Sequence, residues 1–507
     1  MAPGVKRPAG ARVPDRTMLL RWSVVILAAA LVCLFADLPS LPMTFADESR
    51  LSINAMEMRR TGLSLVTTYG FRPDLWNTKP PLMIWLMYAC SEVFGPHPWA
   101  LRIPSVLATL GSTAVVIALS WRVTRSVFIA IAAAILLLAS RGFAGQHTAQ
   151  TADYDALMCL FTTGYCAVLF LTLSSPRPKP WPVLLAGALV AGAVMTKGIA
   201  GLMPGAGIAA YLVATRRWTR PFRSPWYVLA GLIVLAVGGG FYLVRQHLSP
   251  GYLEAVWNNE IGGRYGKTVA GHDRWIGYYL VQIFVVAGFS LGPFALLLLP
   301  QLKGVRGRRR ALARFNLWLA AGLVVVLSIG QTKIRWYIAP AYPFIAIACA
   351  IALEAVARRL RESPADARPL RAWAGRNLGA MLTVGVVLLI AGFVVNRYVY
   401  LWPGQHAPAA RYGAVFRSLY GMGVRRALVV DEGVYNAEAI PTYAPQMEFN
   451  ALVWGERGFR VGRLPAVWPL PIRRGDVVVS CDGRWTDRLT LVAQDFSRTP
   501  GCVAIRR

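Results

Sequence analysis

Apolar runs separated by short basic loops divide most of this chain, and that alternation constrains the fold more than any other feature. A helix needs about 20 apolar residues to cross a bilayer, with roughly 17–25 as the range. Candidate spans are 19–36, 98–121, 126–140, 155–174, 183–196, 199–215, 226–244, 276–300, 316–330, 337–357 and 378–395, eleven in all. The pair 183–196 and 199–215 is parted only by Lys197-Gly198 and reads as a tight helical hairpin. Of 507 residues, 56% are hydrophobic and 15% charged, against roughly 25% charged in soluble proteins. That balance excludes a soluble globule, a disordered chain and a collagen-like chain. The expected fold class is an all-α polytopic membrane protein of about eleven transmembrane helices.

The net charge of +30 comes from 54 Lys and Arg against 24 Asp and Glu. A nucleic-acid partner is not expected, because the basic residues sit in short loops between apolar runs. With the N-terminus in the cytoplasm, the inner loops carry roughly twice the Lys and Arg of the outer loops, as the positive-inside rule requires. Most acids before residue 396 fall on the outer side. Charges of both signs at membrane depth there are what a site requires. The run Leu19–Ala36, behind the basic arm 1–18, reads as an uncleaved first span, because no small-x-small cleavage site follows it.

The stretch 37–97 is too long for a plain connector. Asp47–Arg60 reads as a helix ending before Gly62, and Pro80–Phe94 as a second short apolar helix. Both are expected to lie in the membrane interface. The membrane domain is thus 19–395, with 37–97 as its first periplasmic loop. Residues 396–507 are polar, with β-like runs at Ala427–Val430, Asp476–Val479, Leu489–Val492 and Cys502–Ile505, and read as a small soluble α/β domain on the outer side. Five of the seven cysteines lie in or beside apolar stretches. Cys481 and Cys502 do not, and a disulfide between them requires an oxidising compartment. No CxxC pair or His/Cys spacing of a zinc site occurs.

The candidate chemistry gathers on the outer side. Asp47-Glu48 opens the first outer helix; an acid there is a helix cap or a general base at the membrane surface. Lys79, before Pro80-Pro81, either snorkels to the interface or holds a phosphate as a point charge. Asp153 and Asp155 sit at the outer end of a span, where unpartnered carboxylates are costly; Asp153 suits a cap, Asp155 less so. Lys197 in the tightest turn is expected to be paired or phosphate-bound. In the 245–275 loop, Arg264 is a candidate bidentate phosphate partner, and His272 is weak evidence alone. Lys333, Trp336 and Tyr337 precede a proline-rich run and form either an aromatic belt or part of the site.

The ordered set Asp47-Glu48-Ser49-Arg50 with Glu57-Met58, Lys79-Pro80-Pro81, Asp155-Ala156-Leu157, Thr196-Lys197-Gly198 and Arg335-Trp336-Tyr337 resembles the bacterial GT-C glycosyltransferases. It is most similar to the lipid A aminoarabinose transferases and their protein-mannosyltransferase-like relatives, over roughly residues 15–400. The resemblance implies a GT-C fold in the bacterial inner membrane with its active site facing the periplasm. It also implies a polyprenyl-phosphate-linked sugar donor and a lipid, glycan or protein acceptor. Asp47 would be the catalytic aspartate, with Glu48 beside it. Lys79, Asp153, Asp155, Lys197, Arg264, Lys333 and Tyr337 would line the donor phosphate and sugar pocket. Thr78 stands where aminoarabinose enzymes carry Glu, so mannose, galacturonic acid and hexosamines remain open alongside aminoarabinose. No cofactor is required by such chemistry, and a divalent metal is left open. The rival reading is a transporter or flippase of an anionic lipid-linked sugar, using the same cations and Asp155 as a proton relay.

Overall fold

The structure is a computed structural model. It describes residues 16–36, 38, 41, 43, 47–145, 147–263, 265–266, 273–286, 291–361, 378–400, 403–430, 444–464, 470–481, 494–499 and 502–506. Among these, seven helices are long and apolar enough to cross a membrane: Arg16–Phe35 (α1), Pro98–Thr124 (α4), Tyr154–Leu173 (α6), Pro180–Leu202, Pro225–Leu248 (α9), Gly307–Ile329 (α10) and Arg335–Arg359. Proline opens α4, the helix from Pro180 and α9. There its missing N–H is no loss and its fixed φ suits the helix start.

The seven differ from the eleven expected spans in four places. Val127–Leu138 (α5) and Pro204–Ala214 (α8) have only 12 and 11 residues. In the 276–300 run, Tyr278–Val286 and Leu291–Leu298 are helical, and residues 287–290 between them lie outside the described set. In the fourth place, Leu378–Tyr400 (α12) is a 23-residue helix that covers the expected span 378–395, and within it the stretch Leu382–Gly392 is apolar.

The hairpin expected around Lys197-Gly198 is also corrected. The chain does turn there, with Gly198 at φ +61° and a 3-10 turn to Leu202. The two arms then part. Pro180–Lys197 (α7) packs on α6 and α9, while α8 packs on α10. The α8–α10 crossing is close because Gly207 faces Gly322. A Cβ on Gly207 would come within 2.5 Å of the Trp318 carbonyl oxygen, and small residues let membrane helices approach in this way.

The helix from Arg335 is the central one, with α5, α10 and α4 around it. α9 turns Val228, Leu232, Leu235 and Leu243 outward. A continuous apolar outer face is what lipid contact demands.

Asp47–Thr61 (α2) and Leu82–Phe94 (α3) form where expected. α2 is covered by protein: every residue from Glu48 to Met58 is buried. One side meets α3, and another meets Pro445–Gly455 (α14) from the C-terminal region. Phe449 and Val453 join Met56 and Met58 in one apolar cluster. Arg59 forks onto Glu456 at 3.1 and 3.3 Å, and the Gln446 amide donates to the Met43 carbonyl at 3.0 Å.

The last apolar helix runs through residue 396 to Tyr400, and the α/β unit follows from Pro403–Gly421 (α13). Thr68–Tyr69 (β1) and Arg72–Pro73 (β2) form a short hairpin after α2, and the sheet of the α/β unit has the order β4-β3-β5-β7-β6, with β3 Arg426–Val430, β4 Arg460–Leu464, β5 Val477–Ser480, β6 Gln494–Thr499 and β7 Cys502–Arg506. β3 pairs parallel with β4 and β5, and β7 pairs antiparallel with β5 and β6. Ala427 and Val429 face the helices, while Leu428 and Val430 pack on Leu470 beneath the other face. Three expected strands are present. The fourth, Leu489–Val492, lies outside the described residues.

Cys481 and Cys502 are disulfide-bonded and tie the end of β5 to the start of β7. Replacing both with Ser is expected to cost about 2–4 kcal/mol, chiefly by freeing the unfolded chain. Thermal unfolding of the full chain with and without reductant checks this, and equal midpoints would show that the bridge adds nothing.

Candidate functional site

Arg102 of α4 organises the entrance to α2. It is fully buried and forks onto Glu48 at 2.7 and 3.0 Å. It also donates to the carbonyls of Leu38 and Leu41, and Glu48 accepts the Ala152 N–H at 2.9 Å. One buried pair thereby joins the incoming loop, α2, α4 and the approach to α6. Glu48, expected beside Asp47 in catalysis, does not line the cavity that Asp47 does: its carboxylate points into the scaffold and is held by Arg102. Asp47, one residue earlier, points the other way. It is half-buried, lines a cavity, and makes no hydrogen bond or ion pair with any described side chain.

A second network holds the far wall. Arg50 forks onto Asp74 at 3.0 and 2.7 Å, between the rings of Tyr69 and Trp76. Burial works against a charged Asp74, but the Arg50 fork wins and holds its carboxyl below the usual range. Asp74 accepts the Trp76 and Asn77 N–H groups. Asn77 then bonds Asn54 at 2.8 Å and the Tyr154 hydroxyl at 2.9 Å. These bonds fix the loop that delivers Lys79.

Two pockets meet at a shared wall, the waist, formed by residues that line both. The polar one, about 360 Å³, is lined by Asp47, Leu51, Trp76, Asn77, Asp153, Tyr154, Asp155 and Trp336. The apolar one, about 600 Å³ and partly open to the outside, is lined mainly by Met158, Ile199, Ala200, Met203, Tyr265 and Leu327. Lys79, Lys197 and Tyr337 line both.

At the waist, Lys197 bonds Asp155 at 2.6 Å and lies 5.0 Å over the Tyr337 ring. Lys79 bonds Glu260 at 3.1 Å. Asp155 is fully buried; one of its oxygens takes Lys197 and the other has no hydrogen-bond partner. Asp153 caps α6 by accepting the Tyr154 N–H, and it meets His147 at 3.4 Å. Burial disfavours its charge, but His147 and Lys197 outweigh that and hold the carboxyl below its ordinary range. The His147 ring stacks on Trp336 at 3.6 Å between centroids.

Of the expected site residues, Asp47, Lys79, Asp153, Asp155, Lys197 and Tyr337 therefore meet in one place. Lys333 does not join them. Its amine donates to the Gly330 carbonyl at 2.7 Å, at the C-terminal end of α10. Arg264 lies outside the described residues, as does His272. Three participants were not singled out by the sequence. Trp76 and Asn77 follow from no motif, and His147 is an isolated histidine whose stacking partner is remote in sequence. Among the described residues, no three His, Cys, Asp or Glu side chains converge as metal ligands.

This architecture seats a long loop, with an acid at the start of its first helix, over the ends of apolar helices. In sequence the chain resembles aminoarabinose transferases. The family model described as dolichyl-phosphate-mannose-protein mannosyltransferase matches residues 78–238. An undecaprenyl phosphate-alpha-4-amino-4-deoxy-L-arabinose arabinosyl transferase of Enterobacter sp. (strain 638) is 25% identical over 75% of this chain and 66% of its own length. The enzyme of that name from Edwardsiella ictaluri is 28% identical over 59% of this chain and 54% of its own. The chain thus spans between about half and two thirds of the length of these curated relatives. The crystal structure of ArnT from Cupriavidus metallidurans bound to undecaprenyl phosphate superposes with a TM-score of 0.67 at 19% identity, covering 96% of this chain and 98% of that one.

Proposed function

We propose that this chain is an integral membrane glycosyltransferase that moves a sugar from a polyprenyl-phosphate donor to an acceptor on the periplasmic side. The observation that carries this reading is the divided cavity. An apolar compartment, a cationic waist and a carboxylate-lined polar compartment match, in order, a polyprenyl chain, a phosphate and a sugar. A polyprenyl phosphate, undecaprenyl phosphate, is the ligand bound in the crystal structure of the relative, which supports a donor of that class.

In this scheme Asp47 accepts the proton of an acceptor hydroxyl. The oxygen attacks the anomeric carbon, the bond from that carbon to the phosphate oxygen breaks, and its electron pair leaves on the phosphate. A single displacement inverts the anomeric configuration. Because the leaving group is a phosphate, fixed cations at the waist contribute more than an acid would. The unpartnered Asp155 oxygen is placed to accept a hydrogen bond from the sugar. Mass spectrometry of lipid A, other envelope glycans and periplasmic glycoproteins, from cells with and without the protein, tests the reading and names the sugar. Identical profiles would count against it.

The outer placement of the site is supported by the basic inner loops and by the Cys481–Cys502 disulfide, which forms in oxidising compartments. Leu63 and Arg308 are both exposed. With cysteine introduced at each in a background lacking the free cysteines, an impermeant thiol reagent is expected to label position 63 from the periplasm and position 308 only from the cytoplasm. Labelling of both from one side would overturn the orientation.

A further inference from the structure

Both lysines at the waist already have carboxylate partners, and the two partners differ in kind. Asp155 is fully buried, on a membrane helix, and bonded to Lys197 at 2.6 Å. Glu260 comes from the π-helical turn Trp257–Ile261, outside the long helices, and its side chain is 19% exposed. It reaches over to accept from Lys79 at 3.1 Å and from the Thr78 hydroxyl at 2.8 Å. A phosphate arriving at the waist therefore meets cations whose charge is already balanced.

One of the two carboxylates must yield. Parting Asp155 from Lys197 would strand a buried charge, which is strongly unfavourable. Glu260 can swing outward and regain hydration as it leaves. π-Turns are frequent at sites where a helix has been adapted to function.

On the reading of the cavity as a polyprenyl-phosphate site, we propose that Glu260 is an internal competitor for the donor phosphate: it occupies Lys79 in the empty site, is displaced by the phosphate, and returns to help expel the product. The return matters because the charge at the waist changes during transfer. The donor is a phosphodiester with one negative charge. Its cleavage leaves a monophosphate, whose second ionisation near pH 6 takes it toward two. Product would hold Lys79 more tightly than donor does, and a competing carboxylate offsets that. Thr78 has a defined part in this device, since its hydroxyl steadies Glu260 beside Lys79.

The test measures binding of a polyprenyl monophosphate to the full-length chain in lipid nanodiscs. Glu260→Gln keeps the shape and removes the charge. It is expected to lower Kd about tenfold, the scale of one charge-assisted hydrogen bond. Thr78→Val is expected to lower Kd by a smaller factor, and it serves as an independent probe if the Gln variant is poorly folded. Lys79→Met should weaken binding, and adding Glu260→Gln to it should then change nothing further. Unchanged or weaker binding in both Glu260→Gln and Thr78→Val, alongside weaker binding in Lys79→Met, would refute the competitor while leaving the donor site intact. Absence of binding by the wild-type chain, or no effect of Lys79→Met, would remove the donor site and the competitor together.

Discussion

Asp47→Asn is expected to lower sugar transfer by roughly 10²–10⁴-fold, the usual contribution of a general base, with folding and donor binding nearly unchanged. Asn keeps the volume and the hydrogen-bonding shape of Asp but cannot take up the proton of an attacking hydroxyl. The expectation rests on a contrast between neighbours. Glu48 is held in a buried fork by Arg102, whereas Asp47 faces the polar compartment with no described side chain bound to it. A carboxylate left unpaired in a cavity wall, beside others that are all paired, is the one available to react. Donor binding should survive because the phosphate is assigned to Lys79 and Lys197. The check is turnover of a polyprenyl-phosphate sugar by the purified variant, with monophosphate binding measured on the same sample. Wild-type turnover would reduce Asp47 to a helix-start residue.

The largest expected loss of stability comes from the pair behind it. Arg102 and Glu48 are 0% and 1% exposed. Removing one partner strands the other without water, at a cost of about 3–5 kcal/mol. Arg102→Met and Glu48→Leu should each lower the thermal midpoint strongly. Arg102→Met combined with Glu48→Leu should recover much of the loss, because apolar groups of similar volume carry no stranded charge. Strict additivity of the two single effects would show that the pair is not coupled. The double variant also separates stability from placement. If Arg102 positions Asp47 by binding the Leu38 and Leu41 carbonyls, the restored fold should still turn over slowly.

The resemblance to GT-C glycosyltransferases was legible because its motifs are local. Asp47-Glu48, Lys79-Pro80-Pro81 and Thr196-Lys197-Gly198 each lie where one element starts or ends, and such ends announce themselves by proline, glycine and acidic residues. The roles inside those motifs were less legible. Asp47 and Glu48 are adjacent and alike, and only Arg102, 54 residues from Glu48, separates the carboxylate that lines the cavity from the one held in the scaffold. Lys333 and Tyr337 lie close along the chain, on either side of the start of the helix at Arg335. The Lys333 amine turns back to the Gly330 carbonyl at the end of α10, and the Tyr337 ring lines the cavity.

The sequence by itself determined what depends on neighbours along the chain: apolar runs of spanning length, proline-marked helix starts, the helix at Asp47, the turn at Gly198, and the alternating strands of the C-terminal sheet. Tertiary structure alone decided the pairings across the waist. Lys197 and Asp155 are 42 residues apart, and Lys79 and Glu260 are 181 apart. It also decided that α2 is roofed by α14. The physical reason is that a charge far from water takes whichever opposite charge the packing brings within about 3 Å, and packing joins segments according to their apolar faces. Local sequence records which residues carry charge, and only the packed helices settle which of those charges neutralise one another and which remains free to react.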